Sequence, residues 1–285
     1  MLAYADKIVT IPQNSPLYPK EWQSLLDAPK ALYAIGNTAL LQTRKLTVVG
    51  SRKTPASALK LTTQIAKELS SVFTVVTGTA DGGDGAAIEG ALSGSGRVIC
   101  LLAGGFSALP QGNFPLLERV MKKGLVLSPH EYDVSVRAFS YEYRNRLLAL
   151  LGEGTFVVGA GEKSGALITA KYAEREQKPV FALPYTPGTF AGVGCNGLLK
   201  RGGVLTENAE DIFRAFGVES VRKTPVVALS EDEAKLLDVL KELSEAHVSE
   251  LAEKSGIPLF KARALLSALE VKGVAISIGG NRYSL

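Results

Sequence analysis

The stretch Leu46 to Leu92 reads LTVVGSRKTPASALKLTTQIAKELSSVFTVVTGTADGGDGAAIEGAL. Leu46–Val49 is a short β-rich run. Polar residues then lead into Ala56–Leu69, where apolar side chains recur at helical spacing. Thr74–Thr77 repeats the strand signal, and a Gly-rich turn leads to a helical Ala86–Leu92. Strand, turn, helix and strand again is the repeating unit of a parallel sheet.

The same alternation continues outward. Arg97–Ala103, Leu125–Leu127, Thr155–Val158, Val180–Leu183 and Val204–Leu205 extend the strand series. Phe114–Lys122, Tyr141–Leu151, Ala166–Gln177 and Ala209–Phe216 are the predicted helices between them. The strand runs are nearly all apolar rather than alternating, as strands buried on both faces must be. The predicted fold class is therefore α/β, a doubly wound, mostly parallel sheet. Residues 1–45 are expected to be an irregular lead-in, punctuated by prolines, with a brief helical stripe at Trp22, Leu25 and Leu26. The main domain is predicted over residues 46–217, and Val218–Pro225 (VESVRKTP) reads as a linker. Residues 226–285 are predicted to form a small second domain. Its helices are Glu231–Glu242, Val248–Lys254 and Leu259–Val271, and Val274–Ile278 and Arg282–Leu285 resemble a hairpin. Three helices and a two-stranded wing make a winged-helix arrangement.

Composition narrows the classes. The 285 residues are 46% hydrophobic and 21% charged, which excludes collagen-like, coiled-coil and disordered chains. No apolar run approaches a membrane span. Asp6 and Lys7 close behind Met1 interrupt any signal-peptide core, so a cytoplasmic protein is expected. Two cysteines, Cys100 and Cys195, and two histidines are too few for a disulfide framework or a zinc cluster. Neither metal nor cofactor is expected. The net charge of +4 is uneven: residues 225–285 carry seven basic and nine acidic groups, leaving +6 on the first 224. A polyanionic partner is thus allowed for the large part, whereas the small part is an unpromising electrostatic docking surface.

In doubly wound sheets ligands bind beyond the carboxyl ends of the strands. Gly50, Gly78, Gly104, Gly105 and Gly159 stand at such ends. A missing Cβ lets backbone N–H groups approach a phosphate, although one such glycine alone can simply make a tight turn. Ser51 and Arg52 follow the first strand and Lys163 and Ser164 a later one, while Arg144-Asn145-Arg146 opens a predicted helix. Cations and hydroxyls at these positions suit phosphate contacts, although solvated helix charges are the commoner fate of a pair such as Arg144 and Arg146. Phe139, Tyr141 and Tyr143 just ahead are stacking partners for bases or core residues. Asp81, Asp84 and Glu89 are candidate acid–base groups, with Asp84 equally placed to cap Ala86–Leu92. GAGEKSG lacks the order of a Walker loop, no G-x-G-x-x-G follows the first strand, and neither His130 nor His247 suggests a nucleophilic triad.

Taken in order, V-V-G-S-R, T-G-x-A-x-G-x-D-x-A-A, A-G-G, F-x-x-x-x-R-N-R, E-K-S-G-A-L-I-T and G-x-G-x-N-x-L resemble the DprA/Smf family of DNA-processing proteins, over roughly residues 17–216 plus the tail. The resemblance implies an extended Rossmann-like domain that binds single-stranded DNA in a positive pocket. It also implies a homodimer, loading of the RecA recombinase, a role in natural transformation, and no catalysis. Carried over by position, Gly50, Ser51 and Arg52 match one motif, Arg144, Asn145 and Arg146 a second, and Lys163, Ser164, Gly165 and Thr169 a third. Gly83, Ala87 and Ala166 depart from it, standing where Ile, His and Ser are usual. The helix-hairpin-helix-like or SAM-like domain that precedes this region in many members is not expected here. The alternative is a nucleotide-binding enzyme or sensor of the related lysine-decarboxylase-like group, which hydrolyses nucleoside monophosphates. Its P-G-G-x-G-T-x-x-E segment is not found at Gly159–Gly165. For the small domain, duplex docking by Leu259–Val271 competes with a protein-contact role, which its acidic balance favours.

Overall fold

The apolar runs pair into one nine-stranded sheet. The structure, a computed structural model, describes residues 6–218 and 229–284. The chain divides into two units, residues 1–220 and 221–285. All of the predicted linker except Val218 lies outside the described residues.

In the first unit, β1 (Val9–Pro12), α1 (Lys20–Gln23) and β2 (Ala31–Gly36) come first. The residues read as an irregular lead-in thus supply two strands, and Trp22 of α1 is fully buried with Nε1 donating to Leu147 O at 3.1 Å. Then follow β3 (Lys45–Gly50), α2 (Ala56–Leu69), β4 (Thr74–Thr77), α3 (Gly83–Ser93), β5 (Val98–Leu101), α4 (Phe114–Lys123) and β6 (Leu125–Ser128). The second half holds α5 (Ala138–Leu151), β7 (Thr155–Gly159), α6 (Gly165–Arg175), β8 (Val180–Ala182), α7 (Phe190–Lys200), β9 (Val204–Leu205) and α8 (Ala209–Ala215).

The strand order is β1-β2-β6-β5-β4-β3-β7-β8-β9. The seven strands from β6 to β9 run parallel, and β1 and β2 add an antiparallel edge. β3 to β6 build outward in one direction and β7 to β9 in the other, so the topology reverses between β3 and β7. Helices α2, α3, α4 and α8 cover one face and α1, α5, α6 and α7 the other, each layer with its own apolar core. In α2 the buried Ala58, Thr62, Ile65, Ala66 and Leu69 follow the helical period, as one-sided burial requires.

One boundary differs from the sequence reading and sets the position of three candidate site residues. α5 begins at Ala138 rather than Tyr141, because Ser140 Oγ accepts the Arg137 N–H at 3.1 Å and closes the first turn. Arg144, Asn145 and Arg146 therefore lie inside the helix and do not open it.

The second unit has α9 (Glu231–Leu243), β10 (Glu245–His247), α10 (Val248–Ser255), α11 (Leu259–Val271), β11 (Ile276–Gly279) and β12 (Arg282–Ser284). Beyond the expected hairpin, β10 pairs with β12 to make a three-stranded antiparallel sheet around a separate small core. Among the described residues no helix is long and apolar enough to cross a membrane.

Candidate functional site

At the point of reversal the ends of β3 and β7 stay paired, with Gly50 opposite Gly159 and Ser51 N–H donating to Gly159 O at 2.8 Å. Beyond them the two chains part, one into α2 and the other into α6, and a cavity of about 590 Å³ opens between the loops. Gly50, Ser51 and Arg52 line it from the end of β3. Arg144 and Asn145 line it from α5, and Lys163, Ser164, Gly165 and Thr169 from the start of α6. Arg52, Arg144 and Lys163 thus share one cleft.

α6 is set by Ser164, whose Oγ accepts from Ala166 N–H at 3.3 Å. Asn145 ties α5 to this helix, its Nδ2 donating to Gly165 O at 3.1 Å while its Oδ1 accepts from Arg144 Nε at 2.9 Å. Arg144 is 6% exposed and donates Nη1 to Leu101 O at 3.1 Å. Asp84 meets it above Gly78, where a Cβ would stand 2.4 Å from Asp84 Oδ2 and 2.5 Å from Arg144 Nη1. Gly78 therefore acts from below the wall. Asp84 Oδ1 accepts from Gly50 N–H at 3.2 Å and Oδ2 from Ala80 N–H at 3.4 Å. Burial pushes the Asp84 carboxyl above the usual carboxylate range, with Arg144 pulling the other way. Burial likewise lowers the Arg144 guanidinium from its usual value, and Asp84 opposes that.

Arg144 is thus a buried cation facing a carboxylate. The cations left for a ligand are Arg52, Lys53 and Lys163, all exposed and without an ion pair among the described residues. Glu162 lines the same cavity. Thr169 Oγ1, buried without a hydrogen-bond partner, adds a free polar atom to the α6 wall.

Three predicted residues fall elsewhere. Arg146 turns away and pairs with Asp27, its Nη1 alone donating at 2.9 Å to both carboxylate oxygens. Gly104 lines a smaller neighbouring cavity that shares Arg52, Tyr141 and Arg144 with the first. Gly105 packs under the Glu131 and Tyr132 carbonyls, where a Cβ would lie 2.0 and 2.2 Å from their oxygens. The aromatic trio divides: Phe139 and Tyr141 are exposed, whereas Tyr143 packs on the core and donates its hydroxyl to Asp27 O at 2.8 Å. Of the acid–base candidates, Asp81 is exposed and Glu89 pairs with Arg119 at 2.6 Å. Among the described residues no three His, Cys, Asp or Glu side chains cluster to hold a metal.

Sequence reasoning missed Lys53 and Phe190. Lys53 had a signal, adjacency to Arg52, whereas Phe190 reaches the cleft only through the packing of α7.

Comparison with known proteins shows the family. The family model described as DNA recombination-mediator protein A matches residues 9–217. A DNA processing protein DprA of Bacillus subtilis is 34% identical over 231 residues, covering 79% of this chain and 77% of its own. The solved structure of DNA processing protein A from Streptococcus pneumoniae superposes with a TM-score of 0.69 at 30% identity, covering 75% of this chain and 76% of that one. That of Helicobacter pylori, described as giving insight into a unique single-stranded DNA binding mode, gives 0.67 at 29% identity, covering 75% and 98%. On these matches, together with the motifs that converge on the switch-point cleft, the chain belongs to the DNA recombination-mediator protein A family, which comprises the DprA and Smf proteins.

Proposed function

We propose that this protein is a single-stranded-DNA-binding recombination mediator that acts without catalysis, the strand entering the cleft between β3 and β7. The observation that carries this reading is the convergence of Arg52, Lys53 and Lys163 on one open cleft beside bare strand-end backbone. Exposed cations neutralise phosphates, and an exposed aromatic lining the same cavity, Tyr141, offers sequence-tolerant stacking. Family membership supports the rest of the reading: a homodimer, loading of the RecA recombinase, action in the cytoplasm during natural transformation, and a winged-helix tail. Nucleoside-monophosphate hydrolysis needs a carboxylate free to act on a glycosidic bond. Asp84 is 5% exposed and both its oxygens already accept backbone amides, and the exposed Glu162 does not stand in the P-G-G-x-G-T-x-x-E segment that carries the hydrolytic glutamate.

The test is fluorescence anisotropy with a labelled single strand across a salt series, set beside duplex DNA and mononucleotides. The single strand is expected to bind best. Arg52→Ala and Lys163→Ala should each weaken binding and make the log–log salt slope shallower by about 0.7 for every phosphate that is no longer neutralised. Unchanged affinity and slope in both variants would remove the cleft from DNA binding. Tighter binding of a mononucleotide would transfer the site to the alternative.

A further inference from the structure

Phe190 is an aromatic side chain that the charge pattern of the cleft does not use. It begins α7, is 57% exposed, and still lines the cavity. Its ring lies against bare backbone: a Cβ at Gly161 would stand 2.5 Å from the ring Cζ, so a larger residue there would push the ring off this seat. Lys53 Nζ sits over the ring at 5.2 Å from its centroid. A positive charge held against an accessible π-face beside a cleft is a pair of groups waiting for a ligand with both a flat ring and a negative charge.

We infer that Phe190, backed by Gly161, is a stacking subsite for an unpaired nucleobase, and that Lys53 passes from the ring to a phosphate when the base arrives. A cation–ring contact at an exposed site is weaker than a base stacked on the ring, so the exchange runs toward the base. The subsite rests on the single-strand reading above and adds a second contact to it. The carboxyl ends run β5, β4, β3, β7, β8 across the sheet. Gly104 and Tyr141 bound the smaller cavity on the β5 side, while Phe190 follows β8. The Phe190 ring rests on Gly161 just beyond β7, so at roughly 4.8 Å between neighbouring strands that track is about 14 Å long, enough for more than one nucleotide. A duplex keeps its bases inside its own stack and cannot offer a face to Phe190.

The experiment uses the full chain and a labelled oligonucleotide, in normal and abasic forms. Phe190→Leu keeps apolar bulk but loses the π-face. It should weaken binding of the normal strand about tenfold with an unchanged salt slope, and bind the abasic strand as the wild type does. Phe190→Trp should restore affinity, and its indole emission should be quenched as the strand is added. The protein's own tryptophan, Trp22, is fully buried and gives a steady background. Wild-type affinity in Phe190→Leu overturns the subsite. So does a deficit that comes with a shallower slope, or one of equal size on the abasic strand. If the wild type binds no single strand, the proposed function fails first. A binding wild type with an indifferent Phe190 sinks only the subsite.

Discussion

Asp84 lies where two readings of the sequence competed, helix cap or ligand group, and the structure gives it a third role. α3 starts at Gly83 and is preceded by Gly82, so Asp84 sits within the first turn and holds the β3 end and Ala80 by their amides. The positive end of α3 and the Arg144 guanidinium both favour a carboxylate there. His130 is the opposite case, a titratable group without a charge partner. Its Nε2 is buried and unpartnered, its ring is 5.9 Å from that of Tyr143, and burial lowers its pKa below the ordinary 6.5. The native state keeps the ring neutral while the unfolded chain takes up the proton first. Stability is therefore intact above the unfolded value and is lost as pH falls toward the folded one. Between about pH 7.5 and about pH 5.5, wild-type Tm should fall further than that of His130→Gln, as followed by circular dichroism. Parallel curves for the two proteins would show that His130 is not the group responsible.

Among the elements, the junction of α3 with β3 decides the floor of the cleft. A Cβ on Gly83 would stand 2.4 Å from Gly50 Cα, so the helix approaches the strand end as closely as two glycines permit. The contact seats α3 directly on Gly50. Gly83→Ala should cost about 1–3 kcal/mol, as overpacking against backbone generally does, and should weaken single-strand binding by displacing the Arg52 loop. Denaturant unfolding and the anisotropy titration measure the two effects. A neutral alanine on both would mean that α3 can move away freely. At this scale the strands were legible because burial on both faces leaves a contiguous apolar run. The start of α5 was not, because Ser140 closes the turn from inside a polar stretch. β1 and β2 were hidden for a similar reason. As an antiparallel edge they are only partly buried, and the surrounding prolines read as loop.

The whole molecule separates its charge by unit. Among the described residues of the second unit, six of the seven basic side chains form ion pairs, including Lys261 with Asp232 at 2.5 Å and Arg282 with Glu245 at 3.0 Å; Arg263 is the exception. Cations already neutralised within the unit release no counterions on binding DNA. A chain ending at residue 218 retains both large cores. It should bind single-stranded DNA within about twofold of the full protein and with the same salt slope. A steep drop in affinity on truncation, read by the same titration, would assign the second unit a direct part in DNA binding.

The sequence alone determined the sheet, its mostly parallel direction and the glycines and cations gathered at its carboxyl edge. These follow from short-range patterns: apolar runs of strand length, helices between them, and glycine with a cation at the turn. Which cations share a cleft was decided only by the tertiary structure. Arg144 and Arg146 are two residues apart on one helix, a rotation of about 200°, so one points into the cleft and the other to Asp27. Phe190 and Gly161 meet because β7 and β8 are neighbours in the sheet, a relation set by strand order and invisible to any local pattern.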